Sequence, residues 1–187
     1  FGPTKPASLD FIRELNNQID LNVKGNNLRF RGLIPKNVLY FDRKEEGFRL
    51  MWRCAGGPKQ MFFTSMDIKD GEYIMPDIIF DYEDDELKLF AAIGDDVYHI
   101  PSFNIDDDGL LCFGNTARLN KGIRHVETFI EKTEQMFFGS KFSHCANEEC
   151  MKEPIIPFYQ EKLPKFKSKE EWKPYLVSLK KTIDKLI

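Results

Sequence analysis

Apolar residues recur at helical spacing near the start of the chain, with a polar turn behind them. Spacing of three to four residues predicts an amphipathic helix within residues 1–27, opened by a cap at Ser8 or Asp10. A run of Lys, Gly and Asn at residues 24–27 then makes a turn. The apolar positions of this predicted helix are Leu9, Ile12, Leu15 and Ile19.

Short stretches of alternating apolar and polar residues follow and predict β-strands. Turns rich in Asp, Gly and Pro separate them, which is typical of an antiparallel meander. Beyond residue 101 the chain is irregular up to residue 120, because glycines and an Asp run interrupt any period. The predicted strands cover residues 28–33, 38–41, 48–53, 60–64, 73–74, 78–80, 87–93 and 97–101.

The last third of the chain is predicted to be helical. One helix covers residues 122–138 and stops at Gly139, and Pro154 and Pro157 then predict a loop. Ser168 begins a last helix in a sequence close to a capping box. The first helix buries Ile123, Val126, Phe129, Ile130, Thr133 and Phe137, and the last has Trp172, Leu176, Leu179, Ile183 and Leu186 on one side.

These elements predict one α+β domain over residues 1–187, a length that suits a single domain with a substantial core. We divide it into an N-terminal helix and turn (1–27), a meander with a cysteine-bearing loop (28–121) and C-terminal helices (122–187). The chain begins Phe-Gly-Pro without Met, so we expect a trimmed or processed chain that leaves room for a missing N-terminal region.

Composition narrows the class of protein. The 27 basic and 30 acidic residues give a net charge of −3, which excludes a globally basic nucleic-acid binder. Charged residues at 30% beside 13% aromatic residues argue against a disordered chain. No apolar run of about 18 residues and no secretory signal are visible. Four cysteines are too few for a disulfide scaffold, so we expect a cytoplasmic protein without a membrane partner.

The charge is unevenly distributed. Residues 67–108 hold fourteen acidic residues and two lysines, a net charge of −12, whereas residues 165–187 carry +4. The acidic middle disfavours a nucleic-acid partner and favours a basic one. A solvated acidic face explains the same pattern equally well.

Candidate chemistry lies in the irregular stretch, where Cys112 follows Asn104 by eight residues. A thiolate can carry an acyl group as a thioester, and an amine that attacks it makes the carbonyl oxygen negative. A side-chain amide aimed at that oxygen stabilises the charge, by about 3 kcal/mol for a well-placed donor. Cys112 and Asn104 have the chemical types for these two roles, and Asn104 alternatively makes an Asx turn or braces the loop.

The stretch Asn104-Ile-Asp-Asp-Asp-Gly-Leu-Leu-Cys112 resembles the active-site signature of ubiquitin-conjugating enzymes, H-P-N-I-x-x-x-G-x-I-C. Met75-Pro-Asp-Ile-Ile-Phe80 is similar to the P-P-x-[IV]-x-F strand that the family places upstream. The resemblance implies a ubiquitin-conjugating-enzyme (UBC)-like fold, a meander flanked by N- and C-terminal helices. It also implies a catalytic Cys112 and Asn104 on a loop that Pro101 and Gly109 support.

Three departures from that pattern argue against a eukaryote-type conjugating enzyme. Ser102 and Phe103 replace the His and Pro, an extra hairpin covers residues 81–96, and no Trp-Ser-Pro follows Cys112. The chain instead resembles divergent prokaryotic relatives, in particular the PRTRC system protein B family. The matched motifs are Leu33-Ile-Pro35, Tyr98-His-Ile-Pro-Ser-Phe-Asn104, Gly109-Leu-Leu-Cys-Phe-Gly114 and Phe137-Phe-Gly-Ser-Lys-Phe-Ser-His144.

The resemblance also implies partners, and it implies that the domain requires no cofactor of its own. A ThiF-like activating enzyme, a small ubiquitin-like protein and a JAB-type metallopeptidase are its expected neighbours. The predicted reaction passes the ubiquitin-like protein to Cys112 and then to an amine or other nucleophile. The domain itself needs no metal or organic cofactor, since ATP is used by the activating enzyme.

The residues around Cys112 allow other roles. Gly109 is expected to be left-handed, so that Cys112 reaches the surface. Asp106, Asp107 and Asp108 disfavour the thiolate, which a conjugating enzyme tolerates because its substrate arrives as a reactive thioester. Asp108 has two interpretations, an acid or base for an incoming lysine and a solvated loop residue. A calcium loop is a third interpretation of the Asp run.

Further hypotheses about the histidines, a zinc site and the function of the domain stay open. His144 is either a late base near Cys112 or a structural residue, and a Cys–His hydrolase would pair Cys112 with His99, His125 or His144. The sequence His144-Cys145 with Cys150 suggests a zinc site, although the spacing is not the usual one. Finally, the domain is alternatively an inactive UBC-like module that binds a ubiquitin-like protein or scaffolds an assembly, with Cys112 as a buried structural thiol.

Overall fold

The strands form two sheets in the computed structural model, which describes residues 28–44, 47–112, 123–147 and 149–187. The predicted N-terminal helix therefore lies outside the described residues. The strands within these ranges are β1 (Val38–Arg43), β2 (Phe48–Cys54), β3 (Gly57–Phe63), β4 (Gly71–Met75), β5 (Asp77–Glu83), β6 (Glu86–Ile93), β7 (Asp96–His99), β8 (Lys141–Phe142) and β9 (Ser178–Thr182).

The larger sheet is antiparallel, with the strand order β1-β2-β5-β6-β7-β9. The hairpin β3-β4 leaves it and pairs with β8 in a second sheet, where the β3–β8 pair is parallel. The predicted meander is therefore interrupted: β2 pairs with β5, and the two strands between them branch off. Two α-helices, α1 (Val126–Gly139) and α2 (Ile155–Glu161), complete an α+β fold among the described residues.

The hairpin between β5 and β6 follows from its turn residues. Glu83 pairs directly with Glu86, which leaves Asp84 and Asp85 as a two-residue loop with φ values of +51° and +65°. A type I′ turn needs positive φ at both central positions, and Asp tolerates this better than most residues. The extra hairpin predicted over residues 81–96 is thus part of the main sheet.

Helix α1 covers one face of the main sheet through aromatic packing. The Phe129 ring lies 4.8 Å from Tyr82, 5.4 Å from Phe48 and 6.1 Å from Trp52, measured between centroids. All four side chains are almost fully buried, and each contributes about 1.5–3 kcal/mol through loss of apolar contact with water. The apolar face predicted for this helix is confirmed, although the helix begins at Val126 rather than at residue 122.

The last helix was predicted wrongly. Only a 3₁₀ turn, Lys169–Trp172, follows Ser168, and the chain then extends into β9. Pro174 has no backbone N–H to continue a helix. The apolar residues of this segment pack in two different places. Trp172 and Leu176 join the main core. On the opposite face of the main sheet, Leu179, Ile183 and Leu186 pack against Met51, Ile79, Ala92 and Val97.

Two smaller predictions are also corrected. Residues 28–33 form no strand, since only the single bridge from Arg29 to His125 appears there. The segment around Pro154 and Pro157 is not a loop, because Pro154 precedes α2 and Pro157 lies in its first turn. A proline is tolerated there, since the first N–H groups of a helix have no intrahelical partner.

Asp77 joins the C-terminal part of the chain to the main sheet. Its carboxylate, 4% exposed, accepts hydrogen bonds from Lys169 Nζ (2.6 Å), Arg53 Nη2 (2.6 Å) and the Gly56 N–H (2.7 Å). Burial acts to raise the pKa of Asp77, but these three donors outweigh it and leave that pKa below its ordinary value.

Among the described residues, no helix has the length and apolar character needed to cross a membrane.

Candidate functional site

Cys112 lies at the end of a loop that is hydrogen-bonded to a neighbouring strand. We call this loop, residues 101–112, the cysteine loop. Cys112 itself is exposed. The second half of the loop is tied to β6, because the Leu111 N–H donates to the Leu87 carbonyl (2.9 Å) and the Leu89 N–H donates to the Gly109 carbonyl (2.8 Å). The structure therefore presents the predicted nucleophile on the surface. Residues 113–122, including the predicted Phe113-Gly114 motif, lie outside the described residues.

Asn104 is the hub of the cysteine loop. Its backbone carbonyl accepts the Cys112 N–H at 2.8 Å, and its own N–H donates to the His144 carbonyl at 2.9 Å. Asn104 is 9% exposed and has a φ of +60°, the left-handed region in which Asn is enriched. One residue thus links the backbone at Cys112 to the segment that follows β8.

The Asn104 side chain binds that same segment. Its Nδ2–H donates to the Lys141 carbonyl (3.2 Å), and Oδ1 accepts the N–H groups of Ser143 (3.0 Å) and His144 (3.3 Å). The Ser143 hydroxyl also donates to Oδ1 at 3.3 Å. These are the contacts of a brace between residues 104 and 141–144. These partners lie 37–40 residues further along the chain, within the matched motif Phe137–His144, but the sequence did not predict that they bind Asn104.

Gly109 is required by two independent features. It has a φ of +83°, and a Cβ built there would lie 2.8 Å from the Leu89 carbonyl oxygen. The left-handed conformation predicted for this residue is present, and the close approach to β6 adds a steric reason for glycine. Gly109 therefore allows the loop to lie flat on the neighbouring strand.

The Asp run forms an Asx turn in front of Gly109. Asp106 Oδ1 accepts the N–H groups of Asp108 (3.0 Å) and Leu110 (2.8 Å), so this carboxylate shapes the loop. Asp107 and Asp108 are exposed. Of the three aspartates, Asp106 therefore has a structural function, and Asp108 remains accessible to an incoming group.

Pro101 begins the cysteine loop and is buried. Its carbonyl accepts a hydrogen bond of 2.6 Å from the Tyr159 hydroxyl on α2, a contact that no sequence pattern indicated. Ser102 and Phe103, which replace the His and Pro of the conjugating-enzyme signature, are also buried. The Phe103 ring packs 5.0 Å from Tyr159 and 5.7 Å from Phe63. Among the described residues, the Ser102 hydroxyl has no hydrogen-bond partner.

All three histidines of the chain fall in described segments, and they occupy different places. His144 is exposed, its backbone binds Asn104, and its Nδ1 lies 3.1 Å from the Ser143 hydroxyl. His99 lies at the end of β7 and donates its N–H to the Val177 carbonyl. His125 precedes α1, and its buried Nδ1 has no partner within the part of the chain that the structure describes. His144 is therefore the histidine tied to the same residue as Cys112.

The remaining thiols have distinct environments. Burial raises the pKa of Cys54 to about 12, with a further contribution from Glu134. Burial likewise raises the pKa of Cys150 to about 12, and Cys145 and Asp107 add to this effect. Cys145 is half-buried and lines an open groove of about 440 Å³, together with residues 151–157. Within the described residues, no three His, Cys, Asp or Glu side chains cluster in a way that could hold a metal ion.

The acidic middle of the sequence is partly neutralised in the fold. Arg49 contacts Asp81 at 3.0 Å, Lys44 contacts Glu83 and Asp84, and Asp77 has the two cations described above. Asp95, Asp96, Glu86 and the loop aspartates Asp107 and Asp108 are exposed. The fold therefore pairs part of the acidic middle with cations and leaves part of it exposed.

Comparison with known proteins points to a family. Residues 13–171, most of the chain, match the family model of prokaryotic E2 family D. The match contains the whole cysteine loop, Asn104 and the segment from Lys141 to His144. No curated protein and no solved structure matches the chain at a significant level.

Proposed function

The chain belongs to prokaryotic E2 family D, and we propose that it carries a ubiquitin-like protein as a thioester on Cys112 and transfers it to an amine or another nucleophile. Family membership supports a role of the ubiquitin-conjugating type. The observation that carries the finer proposal is the exposed Cys112 on a loop whose backbone is fixed by Asn104.

The proposed reaction has two acyl transfers. In the first, the Cys112 thiolate attacks the thioester carbonyl on the activating enzyme, a new C–S bond forms at Cys112, and the activating enzyme's cysteine leaves as a thiolate. In the second, an amine attacks the Cys112 thioester, a C–N bond forms, Cys112 leaves as a thiolate, and the amine gives up a proton. ATP is consumed when the ubiquitin-like protein is activated, so this domain needs no cofactor.

We assign Asn104 a bracing role. Its side-chain oxygen and one N–H already bind residues 141–144, and each such bond orients the loop that ends at Cys112. Support for the oxyanion is the alternative role. A conservative substitution of Asn104 that keeps its hydrogen bonds to residues 141–144, but alters the charge near the thioester, distinguishes the bracing role from the oxyanion-supporting role.

His144 and Asp108 are the proposed proton acceptors for the incoming amine. The Ser143 hydroxyl donates its proton to Asn104 Oδ1, so its oxygen is left to accept a hydrogen bond from His144 Nδ1–H. This favours the tautomer of His144 in which Nδ1 carries the proton and Nε2 can act as a base. Asp108 is exposed four residues before Cys112. If His144 is the base, His144→Gln lowers the rate of discharge to a free amine but leaves the charging of Cys112 unchanged, and Asp108→Asn leaves both unchanged.

The expected partners follow from the same proposal. They are a ubiquitin-like protein and a ThiF-like activating enzyme, with a JAB-type metallopeptidase as a further neighbour. The finer assignment to PRTRC system protein B rests on the four short motifs and is part of this proposal. So is the UBC-like arrangement of the sheet, the cysteine loop and the flanking helices.

A thioester assay tests the function. The protein is mixed with ATP, the activating enzyme and the ubiquitin-like protein encoded beside its gene, and the products are separated with and without thiol. We expect a thiol-sensitive adduct that disappears in Cys112→Ala and persists in the matched variant Cys145→Ala. Cys112→Ser is expected to give an adduct that resists thiol, since an oxyester replaces the thioester.

The inactive module is the second candidate function. The observation that favours it is the pair Ser102 and Phe103, buried where a conjugating enzyme has His and Pro. If the activating enzyme is charged and the ubiquitin-like protein binds this chain, but no adduct forms on Cys112, the module is correct and the conjugating role is wrong.

A further inference from the structure

We infer that Tyr159 is a positioning residue for the cysteine loop, which it holds through a hydrogen bond from its hydroxyl to the Pro101 carbonyl. The inference concerns where Cys112 is held. Its predicted effect on acyl transfer rests on the proposed function, whereas its effect on the loop does not.

The contact joins two distant parts of the chain. Tyr159 lies in the middle of α2 and is fully buried, and its hydroxyl lies 2.6 Å from the Pro101 carbonyl oxygen, 58 residues away in sequence. Proline has no backbone N–H, so this carbonyl is the one polar backbone group of Pro101. Since the residue is buried, loss of the tyrosine donor leaves that oxygen without a partner.

The loop segment next to Pro101 has few other restraints. Strand β7 ends at His99, and the Ser102 N–H bonds locally to the Ile100 carbonyl. The Ser102 hydroxyl has no hydrogen-bond partner in residues 28–44, 47–112, 123–147 and 149–187. Phe103 packs against Phe63 and Phe142 at centroid distances of 5.7 and 6.4 Å, and most closely against Tyr159, at 5.0 Å. Of these three rings, Tyr159 is the one that also binds Pro101. Tyr159 therefore holds residues 101 and 103 together.

These restraints lead directly to Cys112. Asn104 follows Phe103, and its carbonyl accepts the Cys112 N–H. A displacement at Pro101 or Phe103 thus changes the residue to which the backbone of Cys112 is attached. A misplacement of about 1 Å near a reacting group is enough to lower a rate by one to two orders of magnitude.

The Tyr159 hydroxyl is suited to a permanent bond. Burial raises the pKa of Tyr159 well above its ordinary value, and Cys150, Tyr73 and Cys145 act in the same direction. The phenol is consequently protonated at neutral pH, and it remains a donor. The restraint does not switch on and off with pH.

Tyr73 is a matched control for the hydrogen bond of Tyr159. Its hydroxyl also donates to a backbone carbonyl at 2.6 Å, that of Lys69, and the side chain is 7% exposed. The two rings belong to the same aromatic cluster, with centroids 5.8 Å apart. Lys69, however, lies in the connection between β3 and β4 and not in the cysteine loop.

The test compares Tyr159→Phe with Tyr73→Phe. We expect both variants to lose stability in urea, Tyr159→Phe by more, because Pro101 is buried whereas Lys69 is exposed. In Tyr159→Phe alone, amide hydrogen exchange at residues 104–112 is expected to accelerate about tenfold, and the alkylation rate of Cys112 by iodoacetamide to change about threefold or more. Equal behaviour of the two variants in exchange and alkylation would show a merely structural Tyr159 and overturn the inference.

The acyl-transfer readout is separate. With Cys112 charged, the maximal rate of discharge to a free amine is expected to fall on the order of tenfold in Tyr159→Phe, while the half-saturating amine concentration stays unchanged. If even the wild type is not charged, the proposed function fails. Exchange and alkylation then still decide the inference about Tyr159.

If Tyr159→Phe does not fold, a measurement on the wild type tests the inference instead. Hydrogen exchange is followed at increasing urea concentrations for residues 102–105 and for α2. We expect both segments to open together, with the same urea dependence, because Tyr159 couples them. Independent opening of the loop while α2 stays closed would overturn the inference.

Discussion

The Cys112 backbone N–H donates to the Asn104 carbonyl over 2.8 Å, so the candidate nucleophile is anchored by the residue expected to assist it. The same asparagine reaches the opposite way, to His144 and Lys141. This arrangement places the cysteine at the end of a chain of contacts that passes from the segment after β8 to the surface.

Two substitutions of Asn104 are expected to separate the cost of its left-handed backbone from the contribution of its side-chain hydrogen bonds. Asn104→Ala removes the side-chain bonds and places an alanine at a φ of +60°, with an expected loss of about 2–3 kcal/mol in the free energy of unfolding. Asn104→Gly removes the bonds but tolerates the conformation, so its loss is expected to be about 1 kcal/mol smaller. Urea denaturation measures both values.

Asn147→Ala provides the control for Asn104. Asn147 is also buried, and its Oδ1 accepts a local N–H from Glu149, outside the cysteine loop. We expect it to lose stability without any change in exchange at the Cys112 amide. If Asn104→Gly also leaves that amide equally protected, the bracing role is wrong.

Gly109→Ala is expected to detach the cysteine loop from β6. The new Cβ would lie 2.8 Å from the Leu89 carbonyl oxygen at a φ of +83°, and we expect a loss of about 2–4 kcal/mol. Thermal unfolding measures the change. Gly139→Ala is the control, because a Cβ at this position at the end of α1 would meet nothing within 4 Å, and we expect a gain of about 0.5–1 kcal/mol.

Asp77→Asn is expected to remove a pH-dependent part of the stability. The pKa of Asp77 in the fold lies below that of an unfolded aspartate, which is near 4. The carboxylate therefore stabilises the fold fully above about pH 5, and this contribution is lost as the pH falls through the folded-state pKa. We expect wild type and variant to differ by about 2 kcal/mol at pH 7 and to converge below pH 4.

Urea titrations at several pH values measure that convergence. The exposed pair of Asp96 and Lys173, 3.8 Å apart, supplies the control variant Asp96→Asn, for which we expect a change within about 0.5 kcal/mol. A difference between wild type and Asp77→Asn that stays constant from pH 7 to pH 3 would contradict the role given to the Asp77 carboxylate.

The four cysteines are expected to react in a fixed order. Iodoacetamide at pH 8 should label exposed Cys112 first and half-buried Cys145 next, with mass spectrometry to locate each label. Cys54 and Cys150, with pKa values of about 12, hold roughly a thousandfold less thiolate than an ordinary cysteine and are closed to solvent. Native labelling of Cys150 as fast as Cys112 would show that the buried site opens.

The strand pattern was largely readable from the sequence, because alternation records which face of a strand is buried. Phe48, Leu50 and Trp52 alternate and all three lie in the main core. Pairing was not readable. Nothing in the local sequence says that β2 skips β3 and β4 to pair with β5, since pairing is decided by contacts between distant residues.

The last segment shows why a helical period can mislead. Trp172, Leu176, Leu179 and Ile183 are spaced as on one helix face, yet they divide between two faces of a sheet. Motif spacing predicted that Cys112, Asn104 and Gly109 share one loop, and the structure has them there; their roles in a reaction stay a prediction. The contacts of Tyr159 and Ser143 with that loop were not predicted, because they form only in the folded chain.

Strand β9 has a consequence for how copies of this protein behave beside one another. It lies at the edge of the main sheet, bulges between Ser178 and Lys181, and places Lys180 in the left-handed region with a φ of +54°. Its exposed lysines add like charges along the same border. A bent, positively charged border is a poor template for a strand from another molecule, so this edge guards the protein against sheet-to-sheet aggregation at high concentration.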